Sequence, residues 1–340
     1  VKRLAALVSR QWYQGGWLAA LLRPWGAVYC QLSRLRAGLY EKLHKRRRGA
    51  LPALVVGNLT AGGSGKTPLV LALAEYLHER GWQPALVSRG YRAHPPRLPY
   101  PVQPGDEPGQ AGDEPLFLAR RSGLPVVIGP DRLADIEFAA RRGCDVAVLD
   151  DGFQHLALLP ELSLVVVDGA RGFGNGRCLP AGPLREPLAA LARADALVIH
   201  GTSAPLPPDV AGKPVFSMTL QATGLVPVAP DLPAHALGWL RGRRVHAVAG
   251  IGHPERFFRQ LEALGARPVP HPFPDHHVFV AADFARMQDA PVVMTEKDAV
   301  KCRQLSLPDA WALRVEARLP AAFWRWLDAQ LQFLGRSRDH

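Results

Sequence analysis

Cysteine is scarce in this 340-residue chain: Cys30, Cys144, Cys178 and Cys302 stand far apart, with no Cys-x-x-Cys spacing. That pattern excludes a disulfide framework and a cysteine zinc knuckle, and it fits a reducing cytosol. Long apolar runs are missing too. The best stretch, 11–22, is bounded by Arg10 and Arg23, short of the roughly 18 apolar residues that a spanning helix needs. No secretory signal is read, because the basic start runs into Trp, Gln and Gly rather than a compact apolar core, so a chain kept inside the cell is expected. Acidic residues are the minority, 30 against 41 Lys and Arg, which leaves a formal charge of +11. An anionic partner is therefore favoured, whether nucleotide phosphates, nucleic acid or an anionic membrane surface. No internal repeat is visible, and low complexity is confined to local prolines. What is present, 48% apolar and 21% charged residues, suffices to bury the core of one large domain or two smaller ones.

Residues 1–48 differ in composition from the rest. Trp12, Trp17, Trp25 and many leucines alternate with arginines, and the segment ends in the cluster Lys42, Lys45, Arg46, Arg47, Arg48. Leu4, Leu7, Val8 and Trp12 keep helical spacing, Gly15-Gly16 interrupts it, and Leu18, Leu21, Leu22 and Trp25 resume it. The segment reads as an amphipathic helical leader. Its apolar face either packs on the protein's own core or lies in a membrane interface with tryptophan at headgroup level.

From Ala53 the pattern changes to short apolar runs at 53–56, 85–87, 126–128, 146–149, 164–167 and 197–199, with helical segments at 67–79 and 132–141. That alternation predicts an α/β fold with a mostly parallel sheet flanked by helices. The proline- and glycine-rich stretch 94–115 is too long for a simple connector and reads as a loop able to close over a substrate. Prolines at 204–214 and 223–233 place a boundary near residue 220. The expected organisation is thus a leader at 1–48, a nucleotide-binding domain at 49–220, and a smaller α/β domain at 221–340. The last carries apolar runs at 245–249 and 292–295, and helices near 255–264 and from Ala321.

The strongest local signal follows the first strand: Gly57-Asn58-Leu59-Thr60-Ala61-Gly62-Gly63-Ser64-Gly65-Lys66-Thr67. A strand, a glycine-rich turn and a helix start form a phosphate cradle. Glycines let backbone N–H groups converge on phosphate oxygens, Lys66 reaches the β and γ phosphates, and the Thr67 hydroxyl can hold Mg²⁺. Residues Thr60 through Thr67 are therefore the expected ATP contacts. The match to G-x-x-x-x-G-K-[ST] is imperfect, since Thr60 stands at the first glycine. The double glycine resembles the phosphate loop of partition-type and nitrogenase-iron-protein ATPases, but Ala61 replaces their lysine, which speaks against a dimerising ATPase of that kind. A second apolar strand ends in Asp150-Asp151, where a carboxylate can serve Mg²⁺ beside the phosphates or simply cap the next turn.

The run Asp150-Asp151-Gly152-Phe153-Gln154-His155 resembles a signature of the tetraacyldisaccharide 4′-kinase (lipid A 4′-kinase) family. Further blocks agree with it in order: Val56 to Pro68, Ser88-Arg89-Gly90-Tyr91, Gly112-Asp113-Glu114, Pro180 to Glu186, Phe273-Pro274-Asp275-His276-His277, and Thr295 to Lys301. The resemblance covers the chain from the leader to about residue 301, and it implies a P-loop NTPase-type fold. It also implies transfer of the ATP γ-phosphate to the 4′-hydroxyl of an acylated glucosamine disaccharide 1-phosphate, at the cytoplasmic face of a bacterial inner membrane. Peripheral or monotopic attachment is expected, with no nucleic-acid partner; a monomer is the expectation, though the sequence does not itself set the oligomeric state. Asp113 is implied as base on the sugar hydroxyl, assisted by His276. Lys66 supplies charge, and Thr67, Asp150, Asp151 and Glu186 are the Mg²⁺ candidates. Arg89, Arg171 and Arg185 are open to phosphoryl or 1-phosphate neutralisation and equally to ordinary salt bridges. The boundary near 220 separates Lys66 and Asp113 from His276, so closure of the domains is expected to deliver His276.

Two other readings share parts of this pattern. A ligase or metallochaperone of the dethiobiotin-synthetase type would use the same phosphate loop without needing the leader. A nucleotide-switched membrane or nucleic-acid module would use the positive charge, though no nucleic-acid motif accompanies it. Thr295 to Asp298 is similar to the base-reading motif of GTPases, but Glu296 stands where lysine should follow, so no guanine preference is inferred. The adjacent His276 and His277 should diverge, which argues against a shared metal.

Overall fold

The computed structural model describes residues 11–13, 15–201, 206–207, 210, 212–229, 232–305 and 307–336. Leu4, Leu7 and Val8 of the leader, and much of the proline-rich stretch 204–214, lie outside them. The strands among the described residues are, in chain order, β1 (Ala53–Gly57), β2 (Pro84–Ser88), β3 (Tyr100–Val102), β4 (Val126–Ile128), β5 (Val146–Asp150), β6 (Leu162–Asp168), β7 (Ala196–His200), β8 (Val215–Pro227), β9 (Arg244–Ala249), β10 (Arg267–Pro272), β11 (Val292–Thr295) and β12 (Ala310–Arg318).

The chain divides into two compact units. The first comprises residues 1–89, 127–219 and 318–340, the second residues 90–126 and 220–317. In the first unit the strand order is β7-β6-β1-β5-β2, every neighbour parallel, and Val215 to Met218 of β8 extend the sheet beside β7. Every residue of β1, β2, β5, β6 and β7 is buried. This is why these strands read as continuous apolar runs rather than alternating ones: helices cover both faces of a parallel sheet. Val55, Leu149, Val165 and Leu197 lie in one core cluster.

The helix Lys66–Glu79 rises directly from the loop after β1. Its N-cap is Gly65 in the left-handed region (φ 87), with no side-chain cap. Leu69, Leu73 and Leu77 are fully buried and hold it to the sheet, at roughly 1.5–3 kcal/mol per side chain. By contrast, the helix Arg132–Ala140 is capped by Asp131, whose carboxylate accepts N–H bonds from Leu133 at 3.0 Å and Ala134 at 3.5 Å. The first helix, without a side-chain cap, starts from the loop that the sequence reading expects to meet an anion.

In the second unit β10, β9, β11 and β12 form a parallel run. Its own core is built on Val245, Ala247, Phe257, Leu261, Val293 and Trp311. The helix Asp113–Ser122 opens on Asp113 and Glu114, closes on Arg120 and Arg121, and stops at Gly123 in the left-handed region. Those charges complement the helix dipole at both ends.

The structure departs from the sequence reading in three places. A contiguous split at 49–220 and 221–340 does not match the contacts: the boundary near 220 coincides with the passage from Thr219 to Leu220, but residues 90–126 join the second unit and 318–340 return to the first. That boundary falls inside a thirteen-residue strand, β8, rather than in a linker. The stretch 94–115, read as a loop, holds β3 and the short helix Pro108–Ala111. Asp113 and His276 therefore share one unit, so delivery of His276 alone by domain closure no longer follows.

The leader meets the first of its two expectations on one side only. Gly15 and Gly16 have positive φ, and helices occupy Trp17–Leu21 and Arg23–Lys42. One side packs on the protein: a Cβ on Gly26 would stand 2.7 Å from the Ala181 Cβ, and the Tyr29 hydroxyl donates to the Arg185 carbonyl at 3.0 Å. The other side leaves Trp25, Val28, Leu32, Leu35 and Leu39 exposed.

Gly57 ends β1 where a Cβ would come within 2.4 Å of the Phe153 Cβ and 3.1 Å of its backbone nitrogen. Gly57→Ala should therefore lower unfolding stability by about 1–3 kcal/mol through overpacking, read as a lower urea midpoint at unchanged slope. An unchanged midpoint would show that this strand end can give way.

Candidate active site

The loop between β1 and the helix Lys66–Glu79 is held mainly by its carbonyls. The fully buried Asn58 donates Nδ2 to the Thr60 carbonyl at 2.7 Å and to that of Gly62 at 3.3 Å. Gln154 donates to the Asn58 carbonyl at 2.8 Å, and the Arg185 N–H to the Leu59 carbonyl at 2.8 Å. On the donor side, Ala61 N–H meets the Pro183 carbonyl at 2.7 Å. Among the described residues the N–H groups of Gly62, Gly63, Ser64 and Gly65 donate to no other backbone carbonyl. Nothing lies within 4 Å of the position a Cβ on Gly63 would take, and the Ser64 hydroxyl is buried without a hydrogen-bond partner. Open donors, an unpartnered hydroxyl and empty space beside a glycine are what a polyphosphate chain would satisfy, so the residues present fit a nucleotide.

Lys66 anchors the charge of this loop. Its Nζ donates to Asn58 Oδ1 at 3.0 Å and pairs with Asp151 at 3.2 Å. Asp151 follows β5 in a left-handed conformation (φ 58) and receives Arg185 Nη1 at 2.8 and 3.1 Å. Burial alone would raise the Asp151 pKa, but Lys66 and then Arg185 outweigh it and hold the carboxyl at about 2.

Its neighbours are placed differently. Asp150 is 2% exposed at the end of β5, and Thr67 is 4% exposed in the first helical turn. Glu186, also buried, is paired with Arg193; burial raises its pKa and Arg193 opposes the shift. Among the described residues no three His, Cys, Asp or Glu side chains converge as a ready-made metal site. Asp150, Asp151 and Glu186 therefore do not form one together, and two of the three are already committed to basic partners. Thr67 and Asp150 fit a cation that takes most of its ligands from phosphate oxygens and water, as Mg²⁺ commonly does.

Of the three arginines, Arg185 is bound to Asp151. Arg171 lies over the Tyr13 ring at 5.0 Å, with its Nη1 3.7 Å from where a Gly62 Cβ would stand. Arg89 is close enough to His155 and Arg132 to lower both their pKa values, a minor cause beside their burial. The sequence reading did not single out His155, whose buried Nε2 has no hydrogen-bond partner, nor Arg132, buried and bonded to the carbonyls of Ser88 and Gly129 and to Asp135. Asn58 and Gln154 were missed as well, although both lie within quoted motifs.

The second unit holds the other pair. His276 Nδ1 lies 3.4 Å from Asp113 Oδ2. The Asp113 hydrogen bond is the main cause raising the imidazole pKa, against burial. His276 has φ 57, its N–H is held by Asp275 Oδ1 at 3.1 Å, and the Tyr91 ring tilts over it at 5.5 Å. His277 turns the other way to Asp283 at 2.9 Å, so the adjacent imidazoles diverge as neighbouring residues must. Thr295 caps the helix Glu296–Cys302, and the fully buried Asp298 accepts the Gly250 N–H at 2.8 Å and pairs with Lys301 at 2.7 Å. These residues of the Thr-Glu-Lys-Asp block are thus scaffold. Glu114, beside Asp113, is tied to Lys297 at 2.5 Å.

The family model described as tetraacyldisaccharide-1-P 4′-kinase matches residues 18–332. The chain belongs to the tetraacyldisaccharide-1-P 4′-kinase family. Its members include the tetraacyldisaccharide 4′-kinases of Acidithiobacillus ferrooxidans, 49% identical over 96% of this chain and 98% of that protein, and of Pseudomonas putida, 46% identical over 97% of both. The solved structure of LpxK from Aquifex aeolicus, an apo form in complex with ATP, superposes with a TM-score of 0.78 at 30% identity and covers 94% of this chain and 99% of that one. A kinase of the P-loop α/β class is thus established, and family membership disfavours both the ligase and the nucleic-acid readings.

The depressed Asp151 pKa has a pH consequence. A carboxyl at about 2 when folded and 3.8 otherwise adds stability that is full above pH 3.8 and is lost as pH falls through about 2. The stability gap between the wild type and Asp151→Asn should close across that window in acid-unfolding curves. A gap independent of pH would mean that Asp151 is not the group held by Lys66 and Arg185.

Proposed function

We propose that this kinase transfers the γ-phosphoryl group of ATP to the 4′-hydroxyl of an acylated glucosamine disaccharide 1-phosphate, giving the 1,4′-bisphosphate precursor of lipid A. The observation that carries the residue assignment is the Asp113–His276 pair at 3.4 Å: a carboxyl group beside an imidazole is what a weakly acidic sugar hydroxyl needs to become a nucleophile.

Transfer forms the bond from the 4′-oxygen to phosphorus and breaks the bond from phosphorus to the β,γ-bridging oxygen, which leaves with ADP. Asp113 takes the hydroxyl proton as the new bond forms and passes it to His276, whose side chain is 30% exposed and can release it to water. On the donor side Lys66 exchanges Asn58 and Asp151 for the β and γ phosphates, while the glycine-loop N–H groups neutralise the rest. Mg²⁺, when bound with ATP, supplies charge neutralisation at the β and γ oxygens, and Thr67 and Asp150 would hold it. Arg171, beside Gly62, is placed to meet the transferring group. The positive charge of Arg89 and Arg132, with the His155 imidazole held neutral beside them by burial and by those arginines, suits the substrate's 1-phosphate.

The acceptor is a lipid, and the leader supports work at a bilayer surface. Trp25, Val28, Leu32, Leu35 and Leu39 recur every three or four residues as one exposed stripe, a face that water disfavours and an acyl–headgroup boundary accepts. No described helix is long and apolar enough to cross a membrane; the attachment read from this stripe is peripheral or monotopic, at the cytoplasmic face of the inner membrane where the lipid acceptor is expected. The basic cluster from Lys42 adds about 1 kcal/mol per residue near anionic lipid. Arg48 is partly committed to Glu161 at 3.0 Å.

The test is transfer of label from γ-labelled ATP to acylated disaccharide 1-phosphate in mixed micelles. Wild type should label the lipid, and Asp113→Asn should lose about 10²-fold or more in kcat with little change in the KM for ATP. His276→Asn should flatten the rise in rate that the wild type shows as the imidazole, its pKa raised above 6.5, gives up its proton. No labelled lipid from folded, ATP-binding wild type would overturn the assignment.

A further inference from the structure

β7 ends on a histidine that none of these steps uses. His200 is 5% exposed and stands in register with Asp168 at the end of β6, on the carboxyl edge of the parallel sheet where ligands of such folds gather. Its Nδ1 lies 3.3 Å from the main-chain oxygen of Ser64. A carbonyl oxygen only accepts, so Nδ1 carries the hydrogen. The ring also fills the space beside the next residue: a Cβ on Gly65 would stand 2.6 Å from Nδ1 and 3.2 Å from Cε1. Ser64 and Gly65 are where the loop turns into the helix Lys66–Glu79, with Gly65 at φ 87 and no side chain capping the helix.

The Ser64–Gly65 peptide is planar and trans, so its C=O and N–H point in opposite directions. Holding the carbonyl against His200 aims the Gly65 N–H the other way, and that N–H donates to no described backbone carbonyl. A flipped peptide would present a carbonyl dipole where a phosphate oxygen has to sit, turning attraction into repulsion.

We propose that His200 is a positioning residue for the nucleotide: through Nδ1–H it fixes the Ser64–Gly65 peptide in the orientation that offers the Gly65 N–H to a phosphate oxygen of ATP. The proposal rests on the phosphate-loop reading and adds to it a residue about 135 positions away in sequence that sets the loop's polarity. It requires a donor at the Nδ1 position, not the bulk or the charge of an imidazole.

The experiment compares the full chain carrying His200→Phe, which keeps the ring and removes the donor, with His200→Asn, whose Nδ2 takes the place of Nδ1. ATP binding is measured by equilibrium titration, and ATP and lipid KM values by the labelling assay. His200→Phe should weaken ATP binding and raise the ATP KM about tenfold, the scale of one lost hydrogen bond, with the lipid KM and the melting temperature little changed. His200→Asn should return ATP binding to within about threefold of wild type. If Phe binds ATP as well as wild type, or Asn fails to restore binding at an unchanged melting temperature, the proposal is wrong. If ATP and lipid KM rise together with a lowered melting temperature, His200 is packing alone and the proposal is likewise wrong. Failure of the wild type itself to bind ATP would strike the phosphate-loop reading instead.

Discussion

A loop that must lend its N–H groups to an anion cannot use those same groups to hold its own shape. The structure meets this constraint by securing the loop through its carbonyls: Asn58 takes those of Thr60 and Gly62, Gln154 that of Asn58, the Arg185 N–H that of Leu59, and His200 that of Ser64. Each of these donors comes from a different place in the chain: Asn58 follows β1, Gln154 lies in the turn after β5, Arg185 in the loop after β6, and His200 at the end of β7. The sheet is thus more than a core. It is the frame that lets four glycine-loop donors stay open without collapsing onto neighbouring oxygens, which would be the ordinary fate of unpaired backbone groups.

Charge is distributed by the same logic. Asp151 lies between Lys66 and Arg185 and stays ionised to about pH 2, so it balances the cations of the loop and is a poor proton acceptor. Asp113 belongs to the second unit and lies beside an imidazole whose pKa is raised. Two carboxylates in the same chain are given different tasks by what faces them, one by guanidinium and ammonium, the other by a group that can itself carry a proton.

Much of this was legible in the sequence because it is local. The strand, glycine turn and helix start of residues 53–67 follow from composition and spacing within fifteen residues, and the apolar runs of β5, β6 and β7 follow from burial on both faces. What stayed hidden depends on contacts far apart in sequence. The helix from Asp113 went unread because Pro104, Pro108 and three glycines, Gly105, Gly109 and Gly112, precede it, and those signal a loop. β8 was concealed by the prolines around it. Arg132 was read only as the start of a helical segment, and the fold shows it buried against Ser88. His200 carried no signal at all beyond being polar at the end of an apolar run.

The helix Ala321–Arg336 stacks Trp324 on Tyr76 at 4.1 Å, and Tyr76 donates to both Asp328 oxygens at 2.9 Å. Tyr76 lies on the helix that springs from the phosphate loop. On the ribosome, that helix emerges early and waits through some 240 residues for the segment that braces it, while the two pieces of the second unit emerge in between. Neither unit is a contiguous product of translation, so each must stay partly open until nearly the whole chain is made. Premature termination before Ala321 would leave a phosphate loop with its sheet complete but its helix unsupported on one side, a fragment for quality control to remove rather than a smaller enzyme.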